Sequence, residues 1–439
     1  MISRRDFVNG LAAGVAGSAF ASTAKSYAQI LGANNKVNFA VVGLNGRAYA
    51  HLSALHSNAD KAHLAYVCDV DTRVLKRYAD RAEKSLGYAP KTEQDFRVML
   101  QSKDVDAITI ATPEHWHAPM AILGLKANKH VYVEKPSSHN CREGELLVAA
   151  QKKYGKCVQV GDQQRSSAYT IELIKKIQDG LIGTPYLGKA FYANVRPAMP
   201  AGKAVPIPAE LDWELWQGPA PRSEYRDNIH PYNWHWLRRY GTGETLNNGT
   251  HEVDVCRWAL GLGFPDTVSA IGGKFQHQDE WEFYDTLNVG FGYKNASLTW
   301  DGDSRQGLHF WGRDRGSAIL GTKGSVVVDR DGYDVYDWRG KQIDQYRTGK
   351  ATSSTDTLGI DSMTDAHFAN FIDGIQHGAE LHSPISIANV SVIMLLLANI
   401  SYFTGRTLHL DPATGHIQND PEAMQQWGRK YEKGWEPTV

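Results

Sequence analysis

KVNFAVVGLNGRA, residues 36–48, runs from a short apolar, β-branched segment (Lys36 to Val42) straight into a glycine-bearing turn. A helical pattern through Ala50, Leu52 and Leu55 follows, and Leu64 to Cys68 is a second apolar run that ends at Asp69. Strand, glycine turn, helix, strand, acid is the sequence form of a dinucleotide-binding βαβ unit. Gly43, Asn45, Gly46 and Arg47 form the turn, where glycine allows close approach of a pyrophosphate. The helix N-terminus behind it offers amides and a positive dipole. Asp69 is placed to accept hydrogen bonds from the adenosine ribose. The turn departs from G-x-G-x-x-G: Asn45 and Ala48 stand at the second and third glycines, with Gly46 extra. Asn tolerates left-handed backbone, and Ala is accepted at the third position. An acid at 69 favours NAD over NADP, because it would repel a 2′-phosphate. Arg73 is a counter-argument, although no arginine directly follows Asp69.

The alternation continues outward. Strands are predicted at Asp106 to Ala111, His130 to Val133 and Cys157 to Val160, with helices at Met120 to Ala127 and Arg142 to Tyr154. Such βα alternation implies a parallel sheet that binds ligands at the carboxyl ends of its strands. Three polar clusters fall there: Thr112-Pro113-Glu114-His115-Trp116-His117, Glu134-Lys135-Pro136 and Gly161-Asp162-Gln163-Gln164-Arg165. Beyond residue 165 the texture changes. A helix is predicted from Ile171 to Asp179, then Trp- and Pro-rich loops from Met199 to Tyr240. Strands are predicted at Tyr186 to Asn194, Thr267 to Lys274, Thr286 to Tyr293, Ala296 to Trp300, Gly307 to Trp311, Gly316 to Leu320, Ser325 to Asp329 and Gly332 to Asp337. Helices from Met363 to His377 and from Ser386 to Gly405 are expected to pack back against the body.

A chain of 439 residues exceeds a single core, so two domains are expected. A net charge of -1 lacks the basic footprint that nucleic-acid binding needs. Cys68, Cys141, Cys157 and Cys256 have neither metal-ligand nor CxxC spacing and read as free thiols, and no His/Cys/carboxylate cluster has zinc spacing, so no metal is expected. The first residues, Ser3-Arg4-Arg5-Asp6-Phe7-Val8, resemble a twin-arginine export signal. A weakly apolar Gly/Ala-rich stretch and Ser26-Tyr27-Ala28, a small-x-small cleavage site, follow. The reading is a signal at 1–30, a Rossmann dinucleotide-binding domain at 34–160 and a second α/β domain at 161–439, in a periplasmic or otherwise exported protein.

Glu134-Lys135-Pro136 after a strand, Thr112-Pro113 with His117 one strand earlier, and Gly249-x-His251-x-x-Asp254 together resemble the Gfo/Idh/MocA family, from about Lys36 to about Gly405. The resemblance implies an α/β chain: a Rossmann domain plus a C-terminal domain with a large, mostly antiparallel open sheet that often forms the oligomer interface. It implies NAD or NADP as cofactor and a sugar or cyclitol as substrate. The first strand, Asp69, Thr112, Pro113, His117 and Glu134 become cofactor contacts, and Lys135 a catalytic residue that also meets the cofactor.

Oxidising a carbinol needs a base for the hydroxyl proton while hydride leaves for the nicotinamide. Lys135 suits polarisation of the reacting oxygen. His251 suits the acid/base role, since its reference pKa of about 6.5 lies near working pH. Many family members carry an acid four residues before this histidine; here Asn247 stands there, which cannot take a proton but shares a helix face with His251. Asp254 reads as an orienting or structural carboxylate and Glu252 as solvated. Gln163, Gln164 and Arg165 are candidate sugar contacts, with Asp162 similar, and Tyr232, Trp234, His235, Trp236 and Arg238 are a candidate aromatic wall. Trp213 and Trp216 read as packing residues.

Export bears on mechanism. Free NAD is scarce outside the cytoplasm, so the cofactor is expected to stay bound and be reset within the site. The leading expectation is a sugar oxidoreductase that works as a homo-oligomer and reaches its compartment through the twin-arginine machinery. The alternative is a redox-neutral glycosidase passing through a keto sugar, and the second alternative a noncatalytic sugar-binding relative.

Overall fold

In the computed structural model, which describes residues 36–349 and 362–439, six parallel strands form the first sheet. They are β1 (Val37–Val42), β2 (Ala62–Cys68), β3 (Lys91–Glu93), β4 (Ala107–Ile110), β5 (His130–Val133) and β6 (Val158–Val160), in the order β3-β2-β1-β4-β5-β6. Helices α1 (Ala48–Ser57), α2 (Thr72–Leu86), α3 (His117–Lys126) and α4 (Cys141–Tyr154) alternate with them. β1 and β4 are buried on both faces, which is why they read as continuous apolar runs. α2 is started by the Asp71 side chain, which accepts from the Arg73 amide, and is ended by Gly87 at φ +80°. The strand order reverses between β1 and β4, and a crevice opens at that point. Gly43 closes β1 there at φ +81°, and a Cβ on it would stand 2.7 Å from the Thr112 amide nitrogen. The glycine turn therefore nests against the end of β4. The twin-arginine motif and Ser26-Tyr27-Ala28 lie outside the described residues.

After α5 (Ala168–Gln178) the chain builds a nine-stranded sheet. Its strands are β7 (Pro185–Ala193), β8 (Thr267–Gly273), β9 (Thr286–Gly292), β10 (Ser297–Asp303), β11 (Arg315–Gly321), β12 (Gly324–Val328), β13 (Gly332–Asp337), β14 (Gln342–Arg347) and β15 (Leu408–His409). The order is β14-β13-β12-β11-β7-β10-β9-β8-β15, parallel between β7 and β10 and antiparallel elsewhere. α6 (Glu244–Leu260) and α8 (Ile385–Thr404) pack on one face, where Leu246, Val253 and Cys256 meet Leu298, Trp300 and the apolar run of α8. A Cβ on Gly249 would stand 3.2 Å from the Trp300 ring, so α6 lies close on the sheet. α8 is long and apolar enough to cross a membrane, yet most of it is buried in this core. The opposite sheet face leaves Ile271 open to solvent. α7 (Ser362–His377) returns to the first sheet and sets Phe368 and Phe371 against Phe39 and Tyr132.

The structure departs from the sequence reading at several points. Gly307 to Trp311 is not a strand: Phe310 and Arg313 pair across a tight turn in which Trp311 has φ +51° and Gly312 φ +73°. β14 was not expected, because QIDQYR is exposed at every position and carries no alternating apolar signal. Asn247, His251 and Asp254 lie inside α6, whose start Gly243 marks at φ +80°. Gly43→Ala is expected to cost about 1–3 kcal/mol of stability through the positive φ and the clash with β4, and to weaken dinucleotide binding. Denaturant unfolding and NAD titration check this; a variant unchanged in both contradicts the packing described.

Candidate active site

The carboxyl ends of β1, β4, β5 and β6, the loop after β7 and the first half of α6 surround one cleft of about 380 Å³. Gly43, Asn45, Gly46, Arg47, Asp69, Thr112, Pro113 and His117 line one end of it. Asp69 accepts from the Leu44 amide at 2.7 Å and the Asp71 amide at 2.9 Å, which hold it at the turn. Burial pushes its carboxyl up to about 6 against those bonds. No atom lies within 4 Å of where a Gly46 Cβ would stand, and the Thr112 hydroxyl is buried without a hydrogen-bond partner. Open space over a glycine, an unsatisfied hydroxyl and an acid ending β2 fit the ribose–phosphate backbone of a dinucleotide. His117 offers its ring face, since its nitrogens lie against the carbonyls of Pro136 (2.7 Å) and Thr112 (2.9 Å).

Glu134 lines the cleft, but its carboxylate is engaged beneath it. Oε1 lies 2.9 Å from Arg47 Nε, 2.9 Å from His51 Nε2 and 3.2 Å from Gln163 Nε2. Burial alone would raise its pKa; Arg47 and His51 reverse that and hold it well below the usual carboxylate range. Next along the chain, Lys135 reaches across to α6, donating to the Asn247 carbonyl and lying 3.4 Å from Asn247 Oδ1. Burial lowers its ammonium to about 8, against the attraction of Glu134 and Glu114.

One turn further along α6, His251 lines the same cleft. Its Nδ1 is buried and makes no hydrogen bond, so Nε2 is the nitrogen that opens on the cleft. Burial holds the imidazole well below its ordinary value, and Arg330, Lys135, Arg315 and Arg47 add to the effect. Asn247 donates to Glu244 Oε1 at 2.9 Å, which fixes its amide. Gln163 lines the floor and Tyr232, Trp234 and His235 one wall, with the Trp234 and His235 rings stacked 3.6 Å apart. Trp236 turns away to stack on Trp281, and Arg238 lies over Phe403.

Gln164 and Arg165 do not line the cleft, contrary to the sequence reading. The Arg165 guanidinium is buried on Asp254, 2.5 and 3.0 Å from its two oxygens, because a charge inside the core requires a partner. Asp254 is thus structural, and Arg257 and Ser391 complete its shell. Glu252 is buried, not solvated: its Oε1 accepts from Arg315 Nε at 2.7 Å. Trp216 both packs on Trp213 and lines the cleft.

Glu114 is the functional candidate that sequence reasoning passed over. It lines the cleft, is 2 % exposed and accepts from the Thr242 hydroxyl at 2.5 Å. Burial pushes its carboxyl up to about 7, which Thr242 and Lys135 only partly oppose. The signal was its place beside Thr112-Pro113 after β4. Arg196 and Arg315 also border the cleft, each held by a buried glutamate, Glu244 and Glu252; no motif marks them.

Two family models match the chain: the oxidoreductase family with NAD-binding Rossmann fold at residues 37–162, and the Gfo/Idh/MocA C-terminal domain at residues 216–327. Together they cover more than half of it. The chain belongs to the Gfo/Idh/MocA oxidoreductase family. Its first domain is accordingly an NAD-binding Rossmann domain. The inositol 2-dehydrogenase of Rubrobacter xylanophilus is 30% identical over 164 residues, 37% of this chain and 46% of that protein. Glycosyl hydrolase family 109 protein 2 of Shewanella sp. (strain ANA-3) is 28% identical over 211 residues, 46% of this chain and 42% of that protein. The chain thus spans less than half the length of either relative. The WlbA dehydrogenase of Bordetella pertussis, crystallised with NADH and UDP-GlcNAcA, shares the fold. Its TM-score is 0.63 at 22% identity, over 86% of this chain and 99% of that one.

The raised Glu114 carboxyl has a signed consequence for stability. Its folded pKa of about 7 exceeds the unfolded value of 4.5, so the native state binds the extra proton and loses stability as pH rises between them. Glu114→Gln keeps an acceptor for Thr242 without the titration. The variant should match the wild type near pH 4 and exceed it above pH 7 by roughly 1–3 kcal/mol. Urea unfolding at both pH values checks this, and an equal gap at the two contradicts it.

Proposed function

We propose that the protein is an exported NAD(P)-dependent oxidoreductase that moves hydride between a carbinol or ketone of a sugar, or sugar derivative, and a tightly bound nicotinamide. The observation that carries this reading is the convergence of Lys135 and His251 on the cleft that the glycine turn and Asp69 open into. Bound nicotinamide supplies the hydride acceptor, or returns the hydride. His251, neutral because of its burial and cationic surroundings, takes the hydroxyl proton at Nε2. Lys135, largely protonated below pH 8 and anchored on the Asn247 carbonyl, orients the reacting oxygen and steadies its developing charge. Asn247 offers a hydrogen bond but cannot take a proton, so His251 alone carries it. Gln163 meets ring hydroxyls, and Tyr232, Trp234 and His235 supply the flat surface on which an apolar sugar face rests.

The acid at Asp69 favours NAD over NADP. Export through the twin-arginine machinery to the periplasm explains why the cofactor stays in place through turnover. The outer face of the nine-stranded sheet, where Ile271 is exposed, is the surface for homo-oligomer formation. A second reading, a redox-neutral glycosidase, is favoured by Glu114: a carboxyl still partly protonated at neutral pH beside Lys135 could protonate a leaving group. The glycosyl hydrolase family 109 relative points the same way.

The test is a screen of sugars and aryl glycosides on protein as purified, followed by absorbance at 340 nm and mass spectrometry. Denaturation should release NAD(H). Lys135→Met and His251→Ala should each lower kcat by about 10²-fold or more with cofactor retained. Full turnover in both variants, or no nicotinamide released, contradicts the reading. Aryl glycoside hydrolysis without net NADH selects the glycosidase.

A further inference from the structure

The end of β6 holds a second buried group turned toward His251. Asp162 is 2 % exposed, and one of its carboxylate oxygens, Oδ2, accepts from the Ser383 hydroxyl at 3.1 Å. The other, Oδ1, is buried with no hydrogen-bond partner. It lies 3.9 Å from His251 Nδ1, itself buried and without a partner. A buried acceptor left unmade is costly, and so is a buried ring nitrogen. Two such atoms facing each other across one gap have a shared remedy. Closing it by about 1 Å makes a hydrogen bond of ordinary length and satisfies both. Catalytic hydrogen bonds are commonly long before ligand binds and tighten in the complex.

We propose that Asp162 is the positioning residue for His251 in the hydride-transfer reaction proposed above, on which this inference rests. Its carboxylate accepts the Nδ1 proton, fixing the tautomer that leaves Nε2 as a lone pair toward the substrate. When Nε2 takes the hydroxyl proton, the ring becomes imidazolium and the carboxylate beside Nδ1 steadies it. That proton leaves again from Nε2 when a ketone is reduced, so the pair is restored after one oxidation and one reduction.

The other charges about the ring do not compete for this role. Lys135 from the end of β5, Arg47 from the glycine turn, Arg315 from β11 and Arg330 from the turn after β12 are cations that act against the imidazolium. Glu134 is held by Arg47 and His51, and on α6 itself Glu252 and Asp254 are held by Arg315 and Arg165. Asp162 is the carboxylate left facing the ring. Burial and the nearby Asp254 push its own carboxyl up to about 8, and the Nδ1–H bond that forms when the gap closes opposes this by favouring the ionised form.

Asp162→Asn and Asp162→Ala test this. In cofactor-loaded wild type, ¹⁵N spectra of the histidine rings should show the Nδ1–H tautomer for His251, assigned by its loss in His251→Gln. In Asp162→Ala that tautomer should disappear. With a substrate from the sugar screen, Asp162→Asn should lower kcat by about 10²-fold or more, with KM within about 3-fold. Losing the carboxylate lowers the affinity of His251 for its proton, so the acidic limb of kcat/KM should move to lower pH. Ser383→Ala, which removes only the contact to Oδ2, should leave that limb in place. The same tautomer in wild type and Asp162→Ala, or a wild-type kcat and limb in Asp162→Asn, overturns the inference. Loss of the hydride-transfer reading itself would appear differently, as wild-type protein that never changes its bound nicotinamide with any sugar, while the tautomer comparison still decides the pairing.

Discussion

One buried carboxylate ties the catalytic edge of the first sheet together. Glu134 sits at the end of β5 and is contacted by Arg47 from the glycine turn, His51 from α1 and Gln163 from the end of β6. Two separate chain segments, the glycine turn running into α1 and the end of β6, are thus fixed to one charge. The charge could not be buried without them, since an unpaired carboxylate in the core costs several kcal/mol. The backbone respects it too: a Cβ on Gly161 would stand 2.7 Å from Glu134 Oε2. Lys135 is the next residue, so whatever positions Glu134 also aims the lysine across the cleft.

The facing wall is built the same way. Glu244, in the first turn of α6, accepts from Arg196, Asn247, Asn248 and Trp236. Four residues on, Asn248 and then His251 and Glu252 complete a polar face on a helix whose other side is pressed on Trp300. Carboxylates therefore do two kinds of work around this cleft. Glu134, Glu244 and Glu252 are bound by cations or amides and hold shape. Glu114 and Asp162 are buried with a hydroxyl as their side-chain partner, and burial pushes both carboxyls up.

Much of this was legible in the sequence, for physical reasons. Strands buried on both faces announce themselves as apolar runs, and the polar residues that follow them must lie at one sheet edge. Lys135, His251 and the Gly43–Arg47 turn could be placed that way. Burial partners could not. QQR after β6 reads as three equivalent polar residues, yet only Gln163 turns into the cleft, while Arg165 turns inward to an aspartate 89 positions away. The same blindness hid the pairing of Glu252 with Arg315 and the isolation of Glu114 and Asp162. Which charge meets which depends on how a helix and two sheets are brought together, and a local pattern does not encode that. The exposed edge strand β14 was missed for the opposite reason: it buries nothing, so its composition carries no period.

The central claim is that hydride passes between a sugar carbon and nicotinamide held in this cleft, with His251 moving the proton. The most direct measurement follows deuterium. A sugar that the protein turns over, deuterated at every ring carbon, is incubated with protein as purified, and the bound cofactor is then extracted and weighed by mass spectrometry. The account predicts that deuterium appears at nicotinamide C4, and that it is lost from the cofactor again when unlabelled sugar follows. Conversion of the sugar with no deuterium ever reaching the cofactor would contradict it.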